Sequence, residues 1–276
     1  MSSSPERPCE ADSSFRPAFL FLKPKQRRAL SAFYGYARTV DDIADDGSVP
    51  FQKKQAALSA WRNRLEELFS GAGPRGRLEE ELVWAADAFS MRKENFLLVL
   101  EGMEMDTRKT EYASFDELKL YMYRVASAVG MSALEIFGWS GANARAYAEN
   151  LGYAVQLTNI IRDVFEDAGA GRTYIPLDDL KRFDCNPASF QNSVYPNNFI
   201  ELMKFEAARA REFYARAREL AEGPDKDRLF SAFIMGQLYS DLLDKIESRG
   251  FRTAGPRIRM NLFEKLRAVY RAWRNC

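Results

Sequence analysis

The chain has 276 residues, of which 46% are hydrophobic and 29% charged, and its net charge is only +1 at neutral pH. This balance is typical of a soluble globular protein and argues against a nucleic-acid binder that depends on whole-domain charge. The absence of histidine excludes histidine general bases, Ser-His-Asp and Cys-His nucleophile systems, and histidine metal ligands. A metal ion in this protein would therefore be held mainly by oxygen.

The first residues, MSSSPERPCEADSSF, are polar and lack the apolar segment of a signal peptide. We expect residues 1–12 to be disordered. Cys9, Cys185 and Cys276 show no CxxC spacing, so they suggest neither a zinc site nor a disulfide framework. No apolar run approaches the ~20 residues of a transmembrane helix. These features predict a cytoplasmic protein.

Helical periodicity prevails after about residue 20. The first long helix ends at the turn sequence DGS, and the clearest loop is SGAGPRGR at residues 70–77. A capping box, SFDE at residues 114–117, begins a helix that runs to about Gly138. The other helices are predicted over residues 25–45, 52–69, 78–89, 93–105, 143–167, 178–183, 197–222, 225–249 and 261–273.

These elements predict an all-α bundle of roughly ten helices. The sequence has no alternating strand pattern, no repeat and no Gly-rich phosphate loop. No linker divides the chain, so residues 1–276 are expected to form a single domain.

Two of the predicted helices carry aspartates one turn apart. The sequence ARTVDDIADD occupies residues 37–46, and NIIRDVFEDA occupies residues 159–168. Residues four apart lie about 40° apart around a helix, so each pair of aspartates shares one face. The pairs are Asp41 with Asp45 and Asp163 with Asp167, and the same steps extend the two stripes to Tyr34, Arg38, Gly152, Gln156 and Asn159.

A solvated face is the simplest explanation of such a stripe, because exposed charge is common. The later stripe, however, carries Gly, Gln and Asn between apolar flanks, and these residues suit close approach and oriented hydrogen bonds. We interpret the stripes as facing one another across a cavity and holding hard cations, which would offset the cost of burying carboxylates. Because Mg²⁺ favours one or two carboxylates plus phosphate oxygens, the implied ligand is a phosphate ester, and we expect a diphosphate.

The sequence resembles the squalene/phytoene synthase family, whose members join two prenyl diphosphates head to head. The resemblance runs from SSFRPAFLFL through YGYARTVDDIAD, YMYRVASAVG and YAVQLTNIIRDVFEDAGAGRTYIP to IESRGF, and so covers most of the chain. The paired DxxxD motifs are specific, with arginine three residues before the first and QxxNxxRD opening the second. The resemblance implies a single-domain, isoprenoid-synthase-type helical bundle with a central cavity.

The resemblance also implies roles for individual residues. Metal-binding positions fall on Asp41, Asp45, Asn159, Asp163 and Asp167. Diphosphate-facing or aspartate-supporting positions fall on Arg38 and Arg162, and Arg172 and Tyr174 fall in a flexible segment, AGAGRTYIP at residues 168–176, that folds over the diphosphates. The tyrosine near the reacting carbons falls on Tyr121, and the chamber wall falls on Phe15, Tyr34, Val125, Ala126, Val129, Gly130, Ala148, Gly152 and Gln156. On spacing alone, Phe15, Phe19 and the small apolar series would be core packing, and Tyr121 would be a hydrogen-bonded core tyrosine.

The implied chemistry needs no nucleophilic side chain, because two or three Mg²⁺ ions and the arginines stabilise the departing diphosphate. The run LEGMEMD at residues 100–106 most resembles the bacterial members that condense two farnesyl diphosphates to presqualene diphosphate, without NADPH. Alternatives are phytoene synthesis from geranylgeranyl diphosphate, complete squalene synthesis, or a non-catalytic helical binding module. All of the catalytic alternatives belong to isoprenoid biosynthesis, toward hopanoids or carotenoids. Ser127, where many members have glycine, adds a hydroxyl near the chamber and weakens the choice of product.

Residues 249–274 contain eight basic residues and one acidic residue. Leu262, Leu266, Val269, Tyr270 and Trp273 recur there at helical spacing. A basic amphipathic helix can lie on an anionic membrane surface, whereas the simpler alternative is a bundle helix with a solvated basic face. Because the implied substrate and product are lipids, we expect transient peripheral contact with the inner membrane face.

Overall fold

The structure is a computed structural model that describes residues 16–192, 194–221 and 226–275. Within these ranges the chain forms twelve α-helices and no strand, with one isolated β-bridge between Glu111 and Thr173. The helices are α1 (Arg16–Phe19), α2 (Pro24–Asp45), α3 (Phe51–Phe69), α4 (Arg77–Phe89), α5 (Lys93–Arg108), α6 (Phe115–Met122), α7 (Ala128–Phe137), α8 (Ala144–Gly169), α9 (Leu177–Arg182), α10 (Asn197–Leu220), α11 (Phe230–Ser248) and α12 (Leu262–Asn275). The predicted all-α fold is confirmed.

Most helix ends lie within one or two residues of their predicted positions, and the differences have local causes. The predicted helix over residues 225–249 begins at Phe230, because a 3₁₀ turn, Lys226–Leu229, precedes it. The predicted capping box is only half formed. Ser114 Oγ accepts the Glu117 amide at 3.4 Å, but the Glu117 carboxylate accepts the Ala113 amide at 2.7 Å and pairs with Lys109.

The helix predicted to run unbroken to Gly138 contains a π-helical turn, Tyr123–Ser127, between α6 and α7. π-turns often occur at functional sites, and this one packs directly against α8. Ser127 is fully buried there, and its hydroxyl donates to the Glu149 carbonyl at 3.3 Å. The hydroxyl expected near the chamber thus lies beside the chamber-lining residues Ala126 and Gly152, but it is directed at the backbone of α8.

Gly152 on α8 makes that close approach feasible. A Cβ atom at this position would lie 2.7 Å from the Ser127 amide nitrogen and 2.8 Å from its Cα. Gly152→Ala should therefore destabilise the fold by about 2 kcal/mol, or ~5 °C in Tm, because the backbone must shift. Thermal denaturation checks this. Gly169→Ala is the control, since its Cβ would meet nothing within 4 Å, and equal Tm values for the two variants would contradict the prediction.

The core consists of two clusters of buried apolar side chains on either side of α8. One cluster draws mainly on α8, α10 and α11, and the other on α2, α5 and α7. α8 packs against α7, α10 and α11 and is thus central to the bundle. No helix in the described ranges is long and apolar enough to cross a bilayer.

A buried carboxyl group lies on α10. Glu206 is 0% exposed, and Arg209 Nη1 donates to both of its oxygens at 2.9 and 2.8 Å and to Asp179 Oδ2 at 2.9 Å. Burial raises the pKa of Glu206 from 4.5 to about 7, against the opposing charge of Arg209. The pKa of Glu206 is higher in the folded than in the unfolded protein, so its protonated form stabilises the fold. This stabilisation is complete below pH 4.5 and is lost as pH rises through 7.

Between pH 5 and pH 8 the free energy of unfolding of the wild-type protein should therefore fall by up to about 3 kcal/mol relative to that of Glu206→Gln, because glutamine does not titrate. Unfolding free energies measured across this range provide the test. Glu201→Gln changes a carboxylate with a side chain 59% exposed on the same helix and serves as the control. Parallel pH curves for wild type and Glu206→Gln would show that Glu206 stays ionised.

Candidate active site

A cavity of 710 Å³ lies inside the bundle, between α2, α5, α7, α8, α11 and the π-turn. Asp41, Asp106 and Asn159 line its polar end, and Phe137 and Tyr147 line the opposite end, near the start of α8. We call this cavity the chamber. Of the residues predicted for the site, its wall contains Tyr34, Arg38, Asp41, Tyr121, Val125, Gln156 and Asn159, together with the small or apolar Ala126, Val129, Gly130, Ala148 and Gly152.

The first aspartate pair lies at the C-terminal end of α2. Asp41 faces the chamber, and burial, together with the charge of Asp45, raises its pKa to about 6. Arg38 lies 3.4 Å from Asp41 but 2.9 Å from Asp42, so it is shared between them. Asp45 is paired with Arg172 at 2.7 Å. Arg172, which lies outside α2, thus neutralises part of the negative charge of this pair.

The second pair lies near the end of α8, and Asp163 is held by two guanidinium groups. Buried Arg162 donates to its oxygens at 2.7 and 2.5 Å, and Arg257 donates at 3.2 and 2.5 Å. Burial alone would raise the pKa of Asp163, but these hydrogen bonds outweigh it and hold the pKa below its usual range. Arg162 therefore supports the aspartate rather than lining the chamber, and Arg257 is a site residue that the sequence did not reveal.

Asp167, one turn after Asp163, has the opposite electrostatic character. Burial raises its pKa to about 7, and the negative charge of Asp163 adds to the effect. It lines a small cleft with Arg172 and Tyr174, outside the chamber wall. The two aspartates of this pair therefore differ, because Asp163 is bound directly by two arginines, whereas the charge of Arg172 only partly opposes the raised pKa of Asp167.

The segment after α8 joins the two pairs. The Arg172 amide donates to the Asp167 carbonyl at 2.8 Å, while its guanidinium reaches Asp45 on α2. The Thr173 amide donates to the Thr110 carbonyl at 2.7 Å, which fixes the segment against the residues after α5. The sequence AGAGRTYIP was predicted to fold over the diphosphates, and its side chains here lie across both aspartate pairs.

Asp106, at the end of α5, is a chamber carboxylate that was not predicted as a site residue. The Tyr121 and Tyr174 hydroxyls both donate to it, at 2.7 and 2.8 Å, and their rings stack with centroids 5.3 Å apart. Burial raises the pKa of Asp106 to about 6, although both hydrogen bonds oppose the shift. Its sequence context, LEGMEMD, carries no repeated spacing, so the only signal in the sequence is the resemblance of this run to the bacterial family members.

The polar end of the chamber, together with the small cleft that Asp167 lines, fits a hard cation. Asp41, Asp106 and Asp167 all have pKa values raised by burial, and each carries a further contribution from other carboxylates. Asn159 Oδ1 is buried and accepts no hydrogen bond. Within the described ranges, no three carboxylates are grouped as a ready-made ion site. Ions held here would need further oxygen ligands from water and phosphate, as Mg²⁺ prefers.

The structure brings the predicted site residues into one region with one exception. Phe15 lies outside the described residues, as do Cys9, Cys276 and residues 1–12. Phe19, for which core packing was the simpler alternative, is 4% exposed within an apolar cluster. Tyr121 is both a hydrogen-bonded buried tyrosine and part of the chamber wall, and its position near the reacting carbons stays a prediction.

Comparison with known proteins places the chain in a family. A family model described as squalene/phytoene synthase matches residues 10–264. Presqualene diphosphate synthase of Sinorhizobium fredii is 34% identical over 263 residues, covering 94% of this chain and 92% of the relative. The 15-cis-phytoene synthase of Synechocystis sp. is 33% identical over 266 residues, covering 92% and 78%. A dehydrosqualene synthase crystal structure aligns with a TM-score of 0.88 at 24% identity, covering 96% of this chain and 94% of that chain.

The bundle and its chamber have the all-α isoprenoid synthase fold. The chain belongs to the squalene/phytoene synthase family. Its members are prenyltransferases that condense prenyl diphosphates head to head, and this chain is an enzyme of that class. The two relatives are named for different products at nearly equal identity.

Proposed function

We propose that the enzyme condenses two farnesyl diphosphates to presqualene diphosphate, with release of diphosphate and a proton, in a Mg²⁺-dependent reaction without NADPH. The observation that carries this choice is the depth of the chamber. Tyr147 and Asn159, which line its two ends, are twelve residues apart on α8. At 1.5 Å per residue the chamber is thus about 18 Å long.

That depth suits a farnesyl chain better than a geranylgeranyl chain. With carbon–carbon bonds of ~1.5 Å in an extended zigzag, the farnesyl main chain spans about 14 Å and the geranylgeranyl chain about 19 Å. The diphosphate must occupy part of the length nearest Asn159. The longer chain would therefore meet Phe137 and Tyr147, which close the far end.

The residues that would hold Mg²⁺ are Asp41, Asp45, Asn159, Asp163 and Asp167, and two or three ions would suit this set. When bound, the ions would offset the carboxylate charge and stabilise the leaving diphosphate. The unpartnered Asn159 oxygen and the raised carboxylate pKa values support this assignment.

We assign the arginines to the diphosphates. Arg172 and Arg257 are each bound to a carboxylate, Asp45 and Asp163 respectively, and they reach the site from segments outside the two helices. Guanidinium groups bind both phosphate and carboxylate, often through two parallel hydrogen bonds. On substrate binding these arginines exchange Asp45 and Asp163 for diphosphate oxygens, with Arg38 beside them, while buried Arg162 keeps Asp163 in place.

The chamber wall carries out the remaining tasks. Ionisation breaks the allylic C–O bond of one substrate, and the double bond of the second then attacks the cation. Loss of a proton closes the cyclopropane ring. Tyr121 directs its own proton to Asp106, so its oxygen lone pair is free to face the cation, with Tyr174 held beside it. Tyr34, Val125 and Gln156 complete the wall, which excludes water from the cation.

The test is incubation of the purified enzyme with farnesyl diphosphate and Mg²⁺ without NADPH, followed by mass analysis of intact and phosphatase-treated products. A thirty-carbon cyclopropyl diphosphate is the expected product. Formation of a forty-carbon hydrocarbon from geranylgeranyl diphosphate, without turnover of farnesyl diphosphate, would reassign the enzyme to phytoene synthesis. No turnover of either substrate would contradict the proposal altogether.

Leu151 tests the argument from depth. It lies in the wall between the chamber and a side cavity of 230 Å³, and Tyr147 is the other side chain that borders both. Leu151→Ala should join the two cavities and raise kcat/KM for geranylgeranyl relative to farnesyl diphosphate by about tenfold or more. Leu157→Ala, on the same helix and outside both cavities, controls for lost packing. An unchanged ratio would mean that depth does not select the substrate.

We also propose that the chain works as a single domain in the cytoplasm, with prenyl diphosphates as its ligands. The long hydrocarbon chain of the proposed product supports transient peripheral contact with the inner membrane face.

A further inference from the structure

The C-terminal helix α12 is attached to the bundle by its small and charged residues. Ala268 and Ala272 are 0% and 2% exposed, and α12 packs against α11. Glu264 accepts from Lys245 at 2.7 Å, and Arg271 donates at 2.9 Å to the buried carboxylate of Asp241. These two ion pairs fix how the helix is rotated about its axis.

The apolar side chains of α12 point away from the bundle. Five large residues have between 57% and 75% of their surface exposed. At 100° per residue their mean direction lies roughly 150° around the helix from the two buried alanines. A helix of a globular protein normally turns its apolar face to the core, so this arrangement is reversed. The five residues, here called the outer face, are Leu262, Phe263, Leu266, Tyr270 and Trp273.

Basic residues border the outer face. Arg267 and Arg274 are exposed along one edge of it. The single acidic residue of the helix, Glu264, is neutralised by Lys245. An apolar face with a basic border and no free acidic residue matches an anionic lipid surface. A second copy of this face would instead bring its arginines against those of the first.

We propose that α12 lies in the plane of an anionic membrane, with its outer face inserted among the lipid headgroups. The proposal rests on the proposed function only in that the enzyme's product is a lipid. It corrects the sequence-based alternative of a bundle helix with a solvated basic face, because the solvated face is mainly apolar. Ala272 also lines the side cavity, so docking brings that cavity within one helix diameter of the bilayer, about 10 Å.

The test is sedimentation of the full chain with vesicles, without substrate. Two kinds of vesicle are compared, phosphatidylcholine alone and phosphatidylcholine mixed with phosphatidylglycerol. Wild type should bind the mixed vesicles much more tightly. Leu262→Ser/Leu266→Ser/Trp273→Ser should bind at least about a hundredfold more weakly, and Arg267→Gln/Arg274→Gln about tenfold more weakly, with the charge effect confined to mixed vesicles. Arg271 is left unchanged, because its loss would strand Asp241.

Leu120→Ser replaces a leucine that is 58% exposed on α6 and serves as the matched control, with binding equal to wild type. All α12 variants should retain turnover in detergent, which separates this proposal from the proposed function. Equal binding by the triple serine variant, or no binding by wild type, would overturn the proposal. A dimer in solution that the triple variant converts to monomer would also overturn it, because the outer face would then be a protein interface.

Discussion

Asp41→Asn is expected to lower kcat/KM about a thousandfold, the equivalent of ~4 kcal/mol of transition-state stabilisation, because it removes a proposed metal ligand facing the substrate. The ligand-free protein should nevertheless become more stable. The folded pKa of Asp41, raised to about 6 by burial and by Asp45, exceeds its unfolded value of 3.8. Keeping it ionised above pH 6 therefore costs stability, and asparagine removes that cost.

The gain should be ~1 kcal/mol, about 2 °C in Tm at pH 8, after allowance for a side chain that is 39% exposed. Steady-state kinetics and thermal denaturation on one preparation test both parts. Asp42→Asn is the matched control, since Asp42 adjoins Asp41, is 58% exposed and lies outside the chamber wall. Wild-type activity in Asp41→Asn would show that the metal site is misplaced.

Asp163→Asn should behave differently, although Asp163 is the first aspartate of its pair, as Asp41 is of the other pair. Arg162 has a side chain only 6% exposed and is bound to Asp163, so the substitution leaves a buried guanidinium with a weaker partner. Breaking a buried pair of this kind costs roughly 3–5 kcal/mol. For this reason Asp41→Asn is the cleaner test of catalysis.

Asp106→Asn is expected to lower kcat about a hundredfold with a smaller effect on KM, because Tyr121 and Tyr174 can no longer both donate to this side chain beside the proposed reacting carbons. An asparagine side chain offers one oxygen and one NH₂ group where the carboxylate offered two oxygens. In this geometry the single asparagine oxygen can then accept a hydrogen bond from only one of the two tyrosine hydroxyls. Steady-state kinetics with farnesyl diphosphate give the measurement.

A double-mutant cycle distinguishes this role from a general loss of structure. Tyr174→Phe combined with Asp106→Asn should be clearly less damaging than the sum of the single effects, because both remove the same hydrogen bond. Glu104→Gln, on the same helix and bound to Arg62 at 3.1 Å, should leave turnover unchanged. Additive losses would mean that Asp106 does not act through the tyrosine.

The fold and the two aspartate pairs were predictable because both depend on local spacing. Helical periodicity identified the long helices, and residues four apart on α2 and α8 had to share a face whatever their surroundings. The chamber wall was predictable only through the family resemblance. On spacing alone, residues such as Val125, Gly130 and Ala148 could equally have been packed in the core.

Other features depended on contacts between segments distant in the chain. Asp106 and Arg257 carry no distinguishing spacing, and their importance comes from tyrosines and an aspartate on other elements. The π-turn arises where Ser127 meets Gly152 on a different helix.

The amphipathic pattern of α12 could be read from the sequence, but which way it faces could not. Periodicity shows which residues share the apolar or the charged side of a helix. It does not show which side packs against the rest of the protein. The ion pairs of Glu264 and Arg271 with α11 set that direction. The sequence by itself determined the all-α fold, the paired aspartates and the family, because these depend on local spacing and motif. Only the tertiary structure decided which carboxylates are neutralised, where the chamber ends and which side of α12 meets the solvent.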